Sequence, residues 1–284
     1  MLAHAFQDRY FPGSTFKIVT ASAGLESGQV TAQSPVYPSV TSYTPPLTDR
    51  PINNFGGSAC GGALPEVLAR SCNTAFARMA VDVGAEAMIT EAERYGFNAR
   101  PPFDLPGGIE STFPTDFERD APALAQSGIG QNEVQATPLE MALVAGAVGN
   151  GGELMAPHVM AEIRDGDGDV VDEADVEVWK RPSTQNAAVM RQAMVGVVEG
   201  GTAGVLALEG VEVGAKTGTA QIGSETNDTH SWIVAFAGPP GEPATVAVAV
   251  MVEAKPGRGE QTGSRVAGPI ARQVLEAALR PPAE

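Results

Sequence analysis

The chain has 284 residues, 43% of them hydrophobic, enough to bury a sizeable core in one large domain or two closely packed subdomains. Acidic residues outnumber basic ones 34 to 18 for a net charge of −16, and no Lys/Arg stripe carries interleaved aromatics, which argues against nucleic acid as a partner. No apolar run approaches the roughly 20 residues of a membrane span, and the start "MLAHAFQDRY" lacks a signal peptide's charged and apolar regions, so no anchor or address is read from the chain itself.

The first predicted element is a helix that opens within "YFPGSTFKIVTA" (10–21) and stops at Gly28. Ser14 and Lys17 stand three apart at its start and admit two readings. In one, Ser14 caps the helix and Lys17 is solvated. In the other, Phe16, Ile18 and Val19 mark a helix buried on most sides, where the pair shares a face with Cβ atoms about 5–6 Å apart. Burial would lower the lysine pKa by up to about 3–5 units, leaving a neutral amine able to take the serine's proton. The helix N-terminus would add N–H groups that favour an oxyanion.

Residues 29–62 are rich in Ser, Thr, Pro, Gly and Asn without a sustained period, and read as a long loop region of the kind that carries function. Helical patterning resumes over 65–84 and 85–97; within the first stretch, "SCN" (71–73) offers Ser71 and Asn73 as caps or as polar groups of a site. Loop segments near 98–135 lead to a helix over 136–150, capped by Thr137 and opened by Pro138. The acidic run "RDGDGDVVDE" (164–173) invites comparison with a calcium loop, but the glycine position falls on Val170 and the bidentate glutamate position on Val176. A solvated turn fits better, with "HVMAEI" and "VEVWK" as the strands of a hairpin around it. With two cysteines and three scattered histidines, no metal or cofactor is expected.

A helix follows over 183–199, then strands over 211–221, 230–238 and 244–254, the last two joined by "PPGEP", and finally an amphipathic helix over 264–280. In the first of these strands "AKTGTA" (215–220) places Lys216, Thr217 and Gly218, which fit a plain strand with a crowding-relieving Gly or a binding edge. The order predicts a mixed α/β (α+β) fold: an antiparallel sheet with flanking helices over approximately 200–280, and a largely helical subdomain over approximately 14–150. No interdomain linker is evident.

In this order, Ser-x-x-Lys at a helix start, Ser-x-Asn between helices and Lys-Thr-Gly on a late strand resemble the three-motif signature of penicillin-binding proteins and serine β-lactamases. The local text "YFPGSTFKIVTA", "SCNTAF", "SGIGQNEVQATPLEMALVAGAVGNGG" and "KTGTAQ" resembles class B penicillin-binding proteins, monofunctional peptidoglycan D,D-transpeptidases, and among them the actinobacterial penicillin-binding protein A type. The resemblance covers nearly the whole chain. It implies a β-lactamase/transpeptidase-like fold and one penicillin-binding transpeptidase domain over 1–284. Ser14 would attack the penultimate D-Ala carbonyl of a stem peptide, with Lys17 as its base. Ser71 would relay a proton toward the leaving amine beside Lys216, and Asn73 would bind the substrate's amide. Lys216, Thr217 and Thr219 would receive the terminal carboxylate, while Gly218 would let a peptide lie close along the strand. The Ser14 and Thr219 N–H groups would form the oxyanion hole.

The implied partners are peptidoglycan stem peptides, β-lactams and cell-division or elongation proteins, and the implied place is the extracytoplasmic face of the plasma membrane. There disulfides persist, so Cys60 and Cys72, before and inside the Ser-x-Asn motif, are expected to pair rather than remain two free thiols. Attack by water on the acyl-enzyme would instead make a carboxypeptidase or a β-lactamase, although no Glu-x-x-Leu-Asn segment of the class A β-lactamase kind is present. A penicillin sensor without turnover, or a partner-binding relative, is a further alternative. Full-length relatives carry a membrane-anchoring helix, a noncatalytic pedestal and two sheet strands before the Ser-x-x-Lys helix. The chain therefore reads as truncated at its N-terminus. Its sheet is expected to be built mainly from the three late runs, with one side uncovered and marginal stability as the result.

Overall fold

The computed structural model describes residues 3–182, 185–222, 228–255, 257 and 259–280. A 3-10 turn over Gly13–Phe16 runs into α1 (Lys17–Glu26), which is buried from Lys17 to Leu25. The expected loop region at 29–62 contains four short strands, β1 (Tyr37–Val40), β2 (Ser42–Tyr43), β3 (Ile52–Asn53) and β4 (Cys60–Gly62), paired β1 with β4 and β2 with β3. They are too short for alternation to show in sequence.

The helical stretch expected over 65–84 is two helices, α2 (Leu64–Ala69) and α3 (Asn73–Val83), followed by α4 (Ala85–Arg94). The break is a helix stop built without glycine. Ser71 takes the left-handed conformation (φ +59°), its N–H donates to the Leu68 carbonyl, and the Cys72 N–H donates to the Val67 carbonyl at 2.9 Å, the two bonds of a Schellman motif. A further helix lies inside the stretch read as loop: α5 (Ala121–Ser127), whose N-cap Asp120 accepts from the Ala123 N–H at 2.9 Å. Helix α6 (Pro138–Gly149) has the expected cap, with Thr137 Oγ1 accepting from the Glu140 N–H at 3.0 Å.

The hairpin is registered differently from its sequence reading. Strand β5 (Leu154–Met155) pairs with β8 (Val178–Lys180), and between them β6 (Glu162–Arg164) pairs with β7 (Val170–Glu173). Half of the acidic run is thus strand, because Val170 and Val171 extend readily. The turn is confined to 165–169, where the Asp165 carboxylate accepts from the Asp167 and Asp169 N–H groups.

Helix α7 (Ala187–Glu199) starts later than expected, and residues 183 and 184 of that run lie outside the described residues. Strands β9 (Glu212–Gln221), β10 (Thr229–Gly238) and β11 (Val246–Val252) form one antiparallel sheet in the order β11-β10-β9, and α8 (Ala267–Ala278) follows. Strand β10 is buried along nearly its whole length, which requires cover on both faces. Helix α6 covers the face of Phe236 and Ala247, α7 packs on β9, and α8 is the other helix on β10 and β11. One apolar core runs from Phe16 and Phe76 among the helices to Trp232 and Phe236 in the sheet. The fold is the expected mixed α/β type, an antiparallel sheet with flanking helices beside a largely helical part, and no strand from 29–62 joins the central sheet.

Candidate active site

The turn that carries Ser14 is wedged between backbone segments. The Gly13 N–H donates to the Gly130 carbonyl at 3.0 Å, and a Cβ on Gly13 (φ +53°) would stand 2.9 Å from the Thr219 carbonyl oxygen. Thr15 Oγ1 closes the turn on the Pro12 carbonyl at 2.8 Å. Ser14 is left half-buried at the floor of a cleft of about 750 Å³.

Lys17 is fully buried one turn on. Its Nζ lies 3.0 Å from Ser14 Oγ, 2.8 Å from the Ser71 carbonyl oxygen, 3.2 Å from Ser71 Oγ and 2.6 Å from Asn73 Oδ1. The left-handed turn at Ser71 is what brings both its carbonyl and its hydroxyl to the amine. Such a conformation in a non-glycine residue costs on the order of 1–3 kcal/mol and persists where the surroundings impose it. Asn73 opens α3 with its amide fixed at both ends, since Nδ2 donates to the Asn53 carbonyl at 2.9 Å.

Lys216 approaches Ser71 from β9. Its Nζ donates to Ser71 Oγ at 2.8 Å and to the Thr217 carbonyl at 3.0 Å. Burial lowers the pKa of Lys17 well below the ordinary lysine range, and the neighbouring Lys216 charge lowers it further. Burial alone brings Lys216 down to about 7. The two amines therefore share a proton deficit, and the groups around Lys17 suit its neutral form. A neutral amine has two N–H bonds and one lone pair. At Lys17 the Ser71 carbonyl and Asn73 Oδ1 accept only, so they use both N–H bonds. The lone pair is left for a hydroxyl proton, and Ser14 Oγ is the nearer hydroxyl.

Ser14, Lys17, Ser71, Asn73 and Lys216 thus form one hydrogen-bonded cluster, and Thr217 and Thr219 line the same cleft. Thr217 Oγ1 is held by Thr202 Oγ1 at 2.7 Å. Gly218 faces elsewhere. A Cβ there would lie 2.9 Å from both the Pro12 carbonyl oxygen and Thr15 Cγ2, so its missing side chain makes room for the turn that carries Ser14 rather than for a bound peptide. Cys60 and Cys72 form a disulfide with Cα atoms 5.5 Å apart, tying β4 to the Ser71 turn.

Several residues of the site escaped the sequence reading. Buried Asn54 ties four groups together: Oδ1 accepts from the Thr74 N–H and hydroxyl, and Nδ2 donates to the Val40 and Ser58 carbonyls. It caps α3 from a distant loop, and only its Asn-Asn-Phe-Gly turn composition hinted at a role. Glu260, Thr262, Ser264 and Arg265, between β11 and α8, complete the cleft wall. Among the described residues no group of three or more His, Cys, Asp or Glu is placed to hold a metal ion, and no helix is long and apolar enough to cross a membrane.

The family profile "Penicillin binding protein transpeptidase domain" matches residues 1–276. The chain is 36% identical over 292 residues to the peptidoglycan D,D-transpeptidase PbpA of Mycolicibacterium smegmatis, a match that covers 99% of this chain and 57% of the relative. The PbpA of Mycobacterium tuberculosis H37Rv is 35% identical over 285 residues, covering 97% of this chain and 56% of the relative. The chain therefore spans little more than half the length of these curated relatives. Among solved structures, the ceftriaxone acyl-enzyme of penicillin-binding protein A from M. tuberculosis superposes with a TM-score of 0.86 at 33% identity, over 98% of this chain and 62% of that one. The D,D-transpeptidase domain of a peptidoglycan glycosyltransferase from Eggerthella lenta also reaches 0.86, at 30% identity, over 98% of this chain and 67% of that one. With the profile matching almost end to end and the three motifs converging on one cleft, the chain belongs to the penicillin-binding protein transpeptidase domain family.

Proposed function

We propose that the chain is a serine acyltransferase that cross-links peptidoglycan stem peptides as a D,D-transpeptidase and is acylated by β-lactams at Ser14. The observation that carries this reading is the buried Lys17 amine 3.0 Å from the Ser14 hydroxyl: with the Ser71 carbonyl and Asn73 Oδ1 taking two N–H bonds, its neutral form has a lone pair for the Ser14 proton. In the acylation step Ser14 Oγ bonds to the penultimate D-Ala carbonyl carbon as Lys17 takes the hydroxyl proton. Collapse of the tetrahedral adduct breaks the C–N bond. The leaving D-Ala amine receives a proton from Ser71, which Lys216 resupplies through their 2.8 Å bond. A second stem-peptide amine then attacks the ester and restores Ser14. Thr217, Thr219 and Lys216 are assigned to the terminal carboxylate, and Asn73 to the donor's amide.

The match to the family profile and the single continuous core support reading 1–284 as one transpeptidase unit, with its helical part over approximately 14–150 and its sheet over approximately 200–280. The Cys60–Cys72 disulfide supports work outside the cytoplasm, where such bonds persist. The test is turnover of a D-Ala-D-Ala thioester with an amine acceptor present. Cross-linked product is expected from the wild type, and neither product nor penicillin adduct from Ser14→Ala. Free acid alone would make the protein a hydrolase, a stable adduct without turnover a sensor, and an undiminished adduct in Ser14→Ala would remove Ser14 as nucleophile.

A further inference from the structure

The cleft wall formed by residues 259–265 has no secondary structure of its own, yet it is bound along the start of β10. Asp228 is 7% exposed, and its two carboxylate oxygens accept from the N–H groups of Gly259 at 2.9 Å and Gly257 at 3.1 Å. Next to it, Thr229 Oγ1 accepts from the Gln261 N–H at 2.8 Å and donates to the Gln261 carbonyl at 3.0 Å, which Ser231 Oγ also reaches at 2.8 Å. Gly263 then crosses directly over the β9–β10 pair: a Cβ there would collide with the Trp232 carbonyl oxygen and stand 2.7 Å from that of Gly218. Glu260, Thr262 and Arg265 project from this strap into the cleft that Thr217 and Thr219 line.

Resting on the transpeptidase reading above, we propose that Asp228 is a positioning residue for the donor subsite: its carboxylate latches residues 259–265 to β10 and so fixes the wall against which the donor peptide's carboxyl end is held. Asp228 is not among the residues lining the cleft, so its effect reaches the substrate only through the strap. Charge-assisted bonds to backbone N–H groups are the strong kind. Removing the carboxylate deletes the bonds to the Gly257 and Gly259 N–H groups, which leaves Gln261 as the next point of attachment and lets the start of the strap swing toward water. The chemistry at Ser14 is untouched, because no member of the Ser14–Lys17–Ser71–Lys216 cluster bonds to Asp228 or to the strap.

The test compares wild type, Asp228→Asn and Asp228→Ala on the full chain. Asn keeps one acceptor oxygen, whereas Ala keeps none. The KM for a D-Ala-D-Ala thioester should rise about tenfold in D228A, the equivalent of roughly 1.4 kcal/mol, and by less in D228N, with kcat close to wild type. Amide hydrogen exchange should quicken in 259–265 of D228A and stay unchanged in β9. An unaltered KM overturns the proposal, as does a kcat that falls in step with the melting temperature at constant KM. If the wild type is not acylated at all, the transpeptidase reading fails, and exchange in 259–265 that matches wild type in D228A overturns the latch itself.

Discussion

At the scale of single residues, the site is governed by two buried amines and how they divide protons. Because burial first and the Lys216 charge second depress Lys17, replacing Lys216 by Met should raise the pKa of Lys17. On the proposed mechanism, in which acylation falls as Lys17 gains a proton, the acid limb of the acylation rate should then move to higher pH, whatever the change in maximal rate. A limb that stays in place would mean that the two amines are uncoupled.

A second titratable group, Glu140, lies outside that chemistry. Its N–H completes half of a capping box with Thr137, but Ser111 Oγ takes the Thr137 N–H at 3.0 Å, so the Glu140 carboxyl has nothing to accept from and neither oxygen is bonded. Burial raises its pKa to about 8, against a smaller opposing effect of Lys180. The folded protein therefore holds a proton that the unfolded chain releases near pH 4.5. Its stabilising contribution is complete below that pH, declines as pH rises, and is gone above about 8. Equilibrium unfolding of Glu140→Gln should lack this decline, a difference on the order of a few kcal/mol across the window; parallel slopes for the two proteins would refute it. The motif residues were legible in the sequence because each motif is local. Asn54, Asp228 and Glu140 were not, since each acts on backbone or side chains that only the folded chain brings near.

At the scale of elements, the break between α2 and α3 matters most. Periodicity runs on through 70–72, and the usual Gly signal is replaced by Ser71, so sequence patterning gave a continuous helix where the fold needs a corner. Sequence reading did find α6, α8 and the three late strands, whose apolar patterns are long. It missed α5, a short helix with a cap but little periodicity, and mispaired the hairpin by weighting acidic residues over valines. The corner is held by Asn54 on one side and by the Cys60–Cys72 disulfide on the other. Opening that bond by a double Cys→Ser replacement should cost about 3 kcal/mol in the chain-entropy account. It should also slow acylation, because Ser71 and Asn73 flank Cys72. Urea midpoints and penicillin-adduct rates would both show this, and a double variant equal to wild type in each would contradict it.

For the whole molecule, the central sheet ends at β11, whose outer edge meets no further strand among the described residues. Val246, Val250, Met251 and Val252 on it are only half-buried. An unpaired apolar edge is a template for another strand. The chain should therefore self-associate as concentration rises, visible as a growing weight-average mass in sedimentation, and a constant monomer mass would show that the edge is adequately covered. The three-strand order was legible from the hairpin-length "PPGEP" and the apolar runs. The depth of α1 was signalled as one of two readings, by Phe16, Ile18 and Val19 around Lys17.

If Ser14 is the nucleophile proposed above, the glycine seam beneath it bears on how the protein can change under β-lactam selection. Gly13 and Gly130 meet backbone to backbone, and a methyl group on Gly130 would strike the Gly13 carbonyl. The position of Ser14 is thus set by main-chain atoms, which point mutation alters only by breaking the seam. On the proposed function, variants that escape a β-lactam while keeping transpeptidase activity should leave residues 13, 14 and 130 alone. They should accumulate instead where side chains do the shaping, around Thr202, Glu260 and Arg265, which makes the cleft wall the adaptable part of the target and the nucleophile's turn its fixed point.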